Sequence, residues 1–402
     1  MTPERQALLL GAATLVLVVL GLWERWRHRR NLRRLPTRIH VNGTRGKSSV
    51  TRLIAAGLRA GGIRTLGKIT GTTPLLLTPE GEERKLERRG RANIIEQLGV
   101  VATAVELQCE ALVIECMALN PHLQWLSEAR MVEATMAVIT NARADHLDVM
   151  GPEEVDVAWA LASMIPVQRP VLTAERDHAA VFGTVAEDRQ SELVVIDAKT
   201  ASQVSADELG RFRYIEHRDN VALALEACGR LGVAREVALE GMTALDPGPG
   251  SAVSLEWMGK GRRVVFVNAF AANDPESTEQ LWNLARERHP ELTDTVALFN
   301  CRADRTDRSR QLAEALTGWE SASHVGLIGT GRRAFLRYLG EAVATPRELG
   351  REGDDVALIW EALLQLSEGD MLVVGMGNIG GPGLALVRYL KQRVGTAGQE
   401  AA

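Results

Sequence analysis

The chain has 402 residues, 46% of them hydrophobic, and a formal net charge of −4. That is enough apolar material for two or three domains, and it excludes the global basic charge expected of a nucleic-acid-binding protein. The four cysteines, Cys109, Cys116, Cys228 and Cys301, form no C-x-x-C pair. They therefore suit neither a zinc site nor a disulfide framework and read as reduced cytosolic thiols.

Ala7 to Trp23 is uncharged and strongly apolar. At about 17 residues it meets the lower limit for a membrane-spanning helix. Arg25, Arg27, Arg29, Arg30, Arg33 and Arg34 follow, with Trp23 and Trp26 at the boundary. A cleaved signal peptide would put its basic residues before the apolar run. The order here predicts a retained single-pass anchor in the cell membrane, with the N-terminus outside and the body in the cytoplasm. Beside such an anchor the arginines suit anionic lipid better than nucleic acid.

Pro36 closes this segment. The run Arg38-Ile-His-Val-Asn-Gly-Thr-Arg-Gly-Lys-Ser-Ser49 follows and organises the rest. A strand over 39–42, a turn with Gly43 and Gly46, and a helix over 50–60 make a phosphate cradle. Loop amides and the helix dipole favour anionic oxygens, Lys47 adds a mobile positive charge, and the Ser48 hydroxyl can ligate Mg²⁺. The general P-loop pattern asks for glycine at position 41, where Val41 stands. A plain glycine turn before a helix is the alternative.

Further strands are predicted over 63–66, 111–115, 134–140, 171–173 and 193–197, with a hairpin over 75–86 around Pro79-Glu80-Gly81. Helices are predicted over 93–108, from Pro152-Glu153-Glu154, and over 219–231. The Asp246-Pro-Gly-Pro-Gly250 stretch reads as a linker. Alternation then restarts with strands over 263–267, 295–299, 324–328 and 371–374 and helices over 275–288, 308–317 and 354–366. Residues 395–402 read as a frayed tail. Such alternation argues for mostly parallel sheets covered by helices. The expected organisation is an anchor with a basic segment over 1–36, a phosphate-loop domain over 37–247 and an α/β domain over 248–402.

Four further stretches carry chemistry. Glu115 ends a buried strand and is placed to hold Mg²⁺ beside the phosphate loop. Asn141, Asp145, His146 and Asp148 cluster after the 134–140 strand, with His146 able to ligate a metal and the aspartates able to orient it. Asn268–Thr278 enters a helix at Pro275, where Asp274 either caps that helix or faces a nucleotide. Arg302 and Arg305 follow another strand and suit a carboxylate or phosphate, or else form a surface ion-pair cluster. The glycine loop at 375–383 matches dinucleotide loops too loosely to imply NAD.

Together the Gly43–Ser48 loop, Glu115, Thr140-Asn141 with Asp145–Asp148, the helix-opening Asn220 and the Pro-Gly linker resemble the Mur ligase superfamily. More narrowly, 40–49, 114–118, 140–152, 268–278, 300–305 and 375–379 look like the ATP-dependent ligase subunit of bacterial poly-γ-glutamate (capsule) synthases. The resemblance implies a Mur-like central P-loop domain, a C-terminal Rossmann-like domain, and ATP and Mg²⁺ as cofactors. It implies that Gly43, Thr44, Arg45, Gly46, Lys47, Ser48 and Ser49 form the phosphate loop. Ser48, Glu115 and His146 would hold metal, and Asn141 and Asn220 would lie near the nucleotide. Asn273 and Asp274 would close over ATP or the acyl intermediate. A terminal glutamate carboxylate of the growing chain would attack the γ-phosphate, and the amine of a second glutamate would then displace phosphate. The implied partners are that polymer, small membrane subunits of a synthase or export complex, and a further copy of the chain. A folylpolyglutamate-type ligase and a P-loop ATPase energising export are the alternatives. The carbamylated lysine of many Mur ligases has no counterpart in 173–197, Lys199 lies just beyond without a supporting motif, and Ala144 stands where a carboxylate would have strengthened the histidine cluster.

Overall fold

The computed structural model describes residues 2–400 apart from 71–73, 89, 91, 249, 250, 271, 273 and 341–344. The backbone divides into two compact units. One comprises Met1–Ser205 with His217–Leu245; the other comprises Ala206–Glu216 with Asp246–Ala402.

The first unit opens with helix α1 (Pro3–Arg34), the one helix among the described residues long and apolar enough to cross a membrane. Its apolar stretch is exposed, whereas Leu32 near its end and the following Leu35 are buried against Leu66, Val101, Leu112 and Val132. The exposed apolar stretch and the core-packed end thus lie on one continuous helix. Arg38 fastens the junction by donating to the carbonyls of Leu32, Val132 and Glu133 at 3.1, 3.0 and 2.7 Å.

Strands β1 (Thr37–Asn42), β2 (Thr65–Ile69), β3 (Leu75–Leu77), β4 (Glu83–Lys85), β5 (Ala111–Glu115), β6 (Met136–Ile139), β7 (Val171–Thr173) and β8 (Leu193–Val195) form one sheet. Their order is β4-β3-β2-β5-β1-β6-β7-β8. Pairing is parallel from β2 through β8, and β3 and β4 add the predicted antiparallel hairpin. The central strands are buried along most of their length, as expected where helices cover both faces of a sheet. Helix α2 (Lys47–Ala60) follows β1, and α3 (Glu96–Glu106) precedes β5. The predicted 63–66 strand lies later, because Gly62 at φ +81° and the Ile63 amide bonded to the Leu58 carbonyl first close α2. Helix α3 starts later than 93 because the Asn93 side chain accepts from the Ile95 amide, a turn that competes with helix.

The second unit carries β9 (Val253–Gly259), β10 (Arg262–Asn268), β11 (Asp294–Cys301), β12 (His324–Gly329), β13 (Arg347–Gly350) and β14 (Met371–Gly377) in the order β13-β12-β11-β14-β10-β9. All pairs are parallel except β9 with β10. One face buries Trp282, Phe299 and Phe335; the other buries Phe266, Phe270 and Trp360. Residues 206–216 join this unit: Ile215 bridges Ala252, and Arg288 donates to the carbonyls of Phe212 and Tyr214 at 2.6 and 3.0 Å. The edge strands β9 and β13 were not apparent from the sequence. The expected frayed tail is instead mostly the end of a helix over Pro382–Glu400.

Candidate active site

The loop between β1 and α2 is shaped by two glycines that no other residue replaces. Gly43 has φ +132°, and a Cβ there would lie 1.9 Å from the Thr140 hydroxyl oxygen. Gly46 has φ +78°, and a Cβ there would lie 2.8 Å from Asn220 Oδ1. Val41 is a buried ladder residue paired with Glu115 on one side and Val138 on the other. The loop therefore begins at Gly43, and a glycine at 41 would have weakened a central strand.

Lys47 Nζ sits over this loop, donating to the Gly43 carbonyl at 2.6 Å. One residue on, Ser48 Oγ donates to Glu115 Oε2 at 2.8 Å. The same oxygen accepts from the Thr70 amide at 2.8 Å, and Glu115 is 3% exposed. Hydroxyl and carboxylate oxygens meeting at a helix N-terminus form a hard-oxygen pair that fits Mg²⁺, whose remaining positions water and phosphate commonly fill. Ser49 makes no side-chain hydrogen bond among the described residues.

The 140–148 loop braces the phosphate loop. Asn141 Oδ1 accepts from the Thr44 hydroxyl at 2.6 Å and from the Arg45 amide at 3.0 Å. Thr44 Oγ1 in turn accepts from the Arg143 amide at 3.0 Å, and Arg45 pairs with Asp145 at 2.8 Å. His146, half exposed at φ +47°, has Asp145 as its ionic neighbour at 3.8 Å and no bond to Ser48 or Glu115. Asp148 is exposed. Asn220 is buried in the first turn of the helix Arg218–Arg230, against Gly46.

Sequence reasoning missed three supports of this site. Glu175 is buried and accepts from the amides of Ala142, Asp177 and His178 at 2.8, 2.9 and 3.1 Å, which ties the end of β7 to the 140–148 loop. His40, fully buried in β1, lies 2.7 Å from Glu128. Burial disfavours the His40 imidazolium, but the neighbouring Cys116 and the hydrogen bond and charge of Glu128 outweigh it and raise the group to about 9. Lys68 in β2 is fully buried, with Nζ 2.7 Å from Glu96 of α3, which also receives Arg88 at 2.7 Å. A charged residue inside an apolar strand was the available signal for Lys68, and its partner 28 positions on was not visible in the sequence.

In the second unit, Asp274 caps the helix Pro275–Arg288, accepting from the Ser277 amide at 2.9 Å. Asn273 lies outside the described residues. Arg302 pairs with Asp304 at 2.7 Å, and Arg305 is exposed without an ion pair among the described residues. Asn300 opens the 300–305 stretch picked out in the sequence, where roles were expected only of Arg302 and Arg305. It is buried and donates to the carbonyls of Asn378 and Gly380 at 2.5 and 2.7 Å, closing the 378–380 loop over the end of β11.

Comparison with known proteins bears on both units. Residues 41–223 match a family model described as the Mur ligase middle domain, and residues 255–393 match one described as the poly-gamma-glutamate synthase CapB C-terminal domain. The chain is 34% identical over 388 residues to the PGA synthase CapB of Bacillus subtilis (strain 168), spanning 96% of this chain and 98% of that one. It is 33% identical over 387 residues to the capsule biosynthesis protein CapB of Bacillus anthracis, spanning 96% and 82%. Among solved structures it resembles E. coli FolC in complex with ADP, with TM-score 0.63 and 17% identity over 92% of this chain and 94% of that one. The bifunctional folylpolyglutamate synthase/dihydrofolate synthase of Yersinia pestis, complexed with AMPPNP and Mn, is similar at TM-score 0.63 and 16% identity, over 92% and 93%.

Proposed function

Because the chain belongs to the CapB family of Mur-type ligases, we infer that it is an ATP-dependent amide ligase that extends poly-γ-glutamate. The observation that carries this reading is the meeting of Lys47, Ser48 and Glu115 at one glycine loop in a chain of that family. A terminal glutamate carboxylate attacks the γ-phosphate of ATP, giving an acyl phosphate and ADP. The amine of a second glutamate then attacks the acyl carbon, phosphate leaves, and an amide forms. Lys47 and the loop amides hold the phosphates and offset charge on the transferring group. Asn141 keeps the loop in its binding shape through Thr44 and Arg45. Ser48 and Glu115 would hold Mg²⁺, which supplies charge neutralisation when bound.

Several further assignments are part of the same proposal. His146 acts near the phosphates as a metal ligand or a positioning group. Asn220 lies beside the nucleotide, and Asn273 and Asp274 act at the nucleotide or the acyl group. Arg302 and Arg305 bind a substrate carboxylate. The expected domain limits 37–247 and 248–402 are kept except that the second domain takes in Ala206–Glu216 and begins its main run at Asp246, with α1 a single-pass anchor that holds a cytoplasmic body at the cell membrane. Small membrane subunits and a further copy of the chain are its partners.

The test is incubation of membranes bearing the full chain with ATP, Mg²⁺, glutamate and hydroxylamine. A ligase gives glutamate-dependent ADP and a hydroxamate. ADP release indifferent to glutamate, without hydroxamate, would replace this reading with an export ATPase. The folylpolyglutamate neighbours, at 16–17% identity, share the fold and do not by themselves favour a folate substrate.

A further inference from the structure

Lys68 is the one lysine among the described residues with no exposed surface. A buried cation is costly unless paired, and an apolar pair of similar volume is often no less stable. Its retention in the middle of β2 therefore calls for a role. Its surroundings supply one. Strand β2 runs beside β5, with Lys68 opposite Ile114, the residue before Glu115. Two residues beyond Lys68, just past the end of β2, the Thr70 amide donates to Glu115 Oε2 at 2.8 Å. Glu96 of α3 takes the Lys68 ammonium at 2.7 Å, and its chain neighbour Gln97 points its side-chain amide at the Glu115 carbonyl at 3.5 Å. Arg88 grips the other Glu96 oxygen at 2.7 Å and so fixes Glu96 from the far side. Lys68 also touches Met117, two residues after Glu115, at 3.8 Å. The strand end and the helical turn that hold the lysine thus also hold Glu115, the first at its carboxylate through Thr70 and the second at its backbone carbonyl through Gln97.

We propose that Lys68, held by Glu96 and Arg88, is a positioning residue for Glu115. Its buried charge and its clamp between β2 and α3 keep the Glu115 carboxylate aimed at Ser48, ready to receive a divalent cation. The lysine touches neither nucleotide nor substrate; it acts through Glu115. The proposal rests on the reading of Glu115 as a metal ligand.

The experiment uses the full-length protein in detergent with Mn²⁺ as the metal probe and AMPPNP as the nucleotide. Mn²⁺ retention is followed by electron paramagnetic resonance, and nucleotide binding without metal is measured in EDTA. Lys68→Met should weaken Mn²⁺ retention about tenfold or more, while metal-free nucleotide binding stays within about twofold of the parent. Lys68→Arg, which keeps the charge, should recover most of the loss. Should Lys68→Met not fold, the double variant Lys68→Met/Glu96→Met removes both buried charges and leaves Arg88 to solvent; it should show the same selective loss. Parent-like Mn²⁺ retention in the double variant, or parallel loss of Mn²⁺ and metal-free nucleotide binding in both variants, overturns the proposal. Glu115→Gln separates the two layers: if it retains Mn²⁺ like the parent, the metal-ligand reading itself fails and this proposal fails with it.

Discussion

Ser48 Oγ donates to Glu115 Oε2 across 2.8 Å, which joins the first turn of α2 to the last residue of β5. The two residues are 67 positions apart in the chain, and parallel pairing of β1 with β5 brings them together. On the proposed reading, these two oxygens would bind a divalent ion jointly. Glu115→Gln and Ser48→Ala should each lower kcat by about 100-fold, in the range of a lost transition-state charge contact. Each should also raise the Mg²⁺ concentration needed for half-maximal ADP release. Unchanged Mg²⁺ dependence in both variants would remove these residues from the metal site.

Gly43→Ala places a methyl group 1.9 Å from Thr140 Oγ1 at a left-handed φ. The backbone strain alone is worth about 1–3 kcal/mol, and the contact adds to it. The variant should melt several degrees lower and lose nucleotide binding. A fluorescent ATP analogue and a thermal melt read the two effects separately.

The His40–Glu128 pair makes stability depend on pH in a defined direction. The folded imidazole titrates at about 9, above its ordinary 6.5. The stabilisation is fully present below 6.5 and is lost as pH rises through 9, amounting to on the order of 3 kcal/mol. Urea midpoints should fall between pH 6.5 and 9.5 in the parent. In His40→Asn they should be lower at pH 6.5 and nearly flat over that window. A parent midpoint that holds steady or rises across the window would refute the assignment.

Asp274 makes a cap whose loss is measurable apart from any chemistry. Asp274→Ala should cost about 1 kcal/mol, the usual worth of an N-cap, whereas Asp274→Asn keeps an oxygen acceptor and should melt like the parent. If Asp274→Asn nevertheless loses ligase activity, the carboxylate has a role at the acyl or nucleotide group beyond the cap. Full activity in Asp274→Asn would restrict it to capping.

Helix α1 is exposed along its apolar stretch and buried near its end. Removing residues 2–24 should release the protein from membranes while leaving nucleotide binding intact, because the removed part is exposed. Removing residues 2–35 also strips the buried Leu32 and Leu35 from the core. Each buried leucine is worth about 2–5 kcal/mol, so this truncation should be insoluble. Sedimentation and a nucleotide-binding assay distinguish the two.

Much of this was legible along the chain. Val113, Ile114 and Glu115 announced a buried strand ending in a carboxylate, and the two glycines with Lys47 and Ser48 announced a glycine turn leading into a helix, because backbone conformation and strand burial are local properties. Strand edges were harder: β9 and β13 lie at the sheet margin, where burial leaves a weaker pattern. Helix starts slipped at Asn93 because a side-chain turn competes with the helix there.

The sequence by itself determined the long apolar N-terminal helix, the glycine loop, the α/β alternation and the residue types able to bind phosphate and metal, since each depends on neighbours a few positions away. Only the tertiary structure decided that Val41 is a ladder residue, that Asn141 braces the loop through Thr44 and Arg45, and that Lys68 and Glu96 stand behind Glu115. Those relations join residues tens of positions apart. Parallel strand pairing creates them, and no local periodicity records which strands will lie side by side.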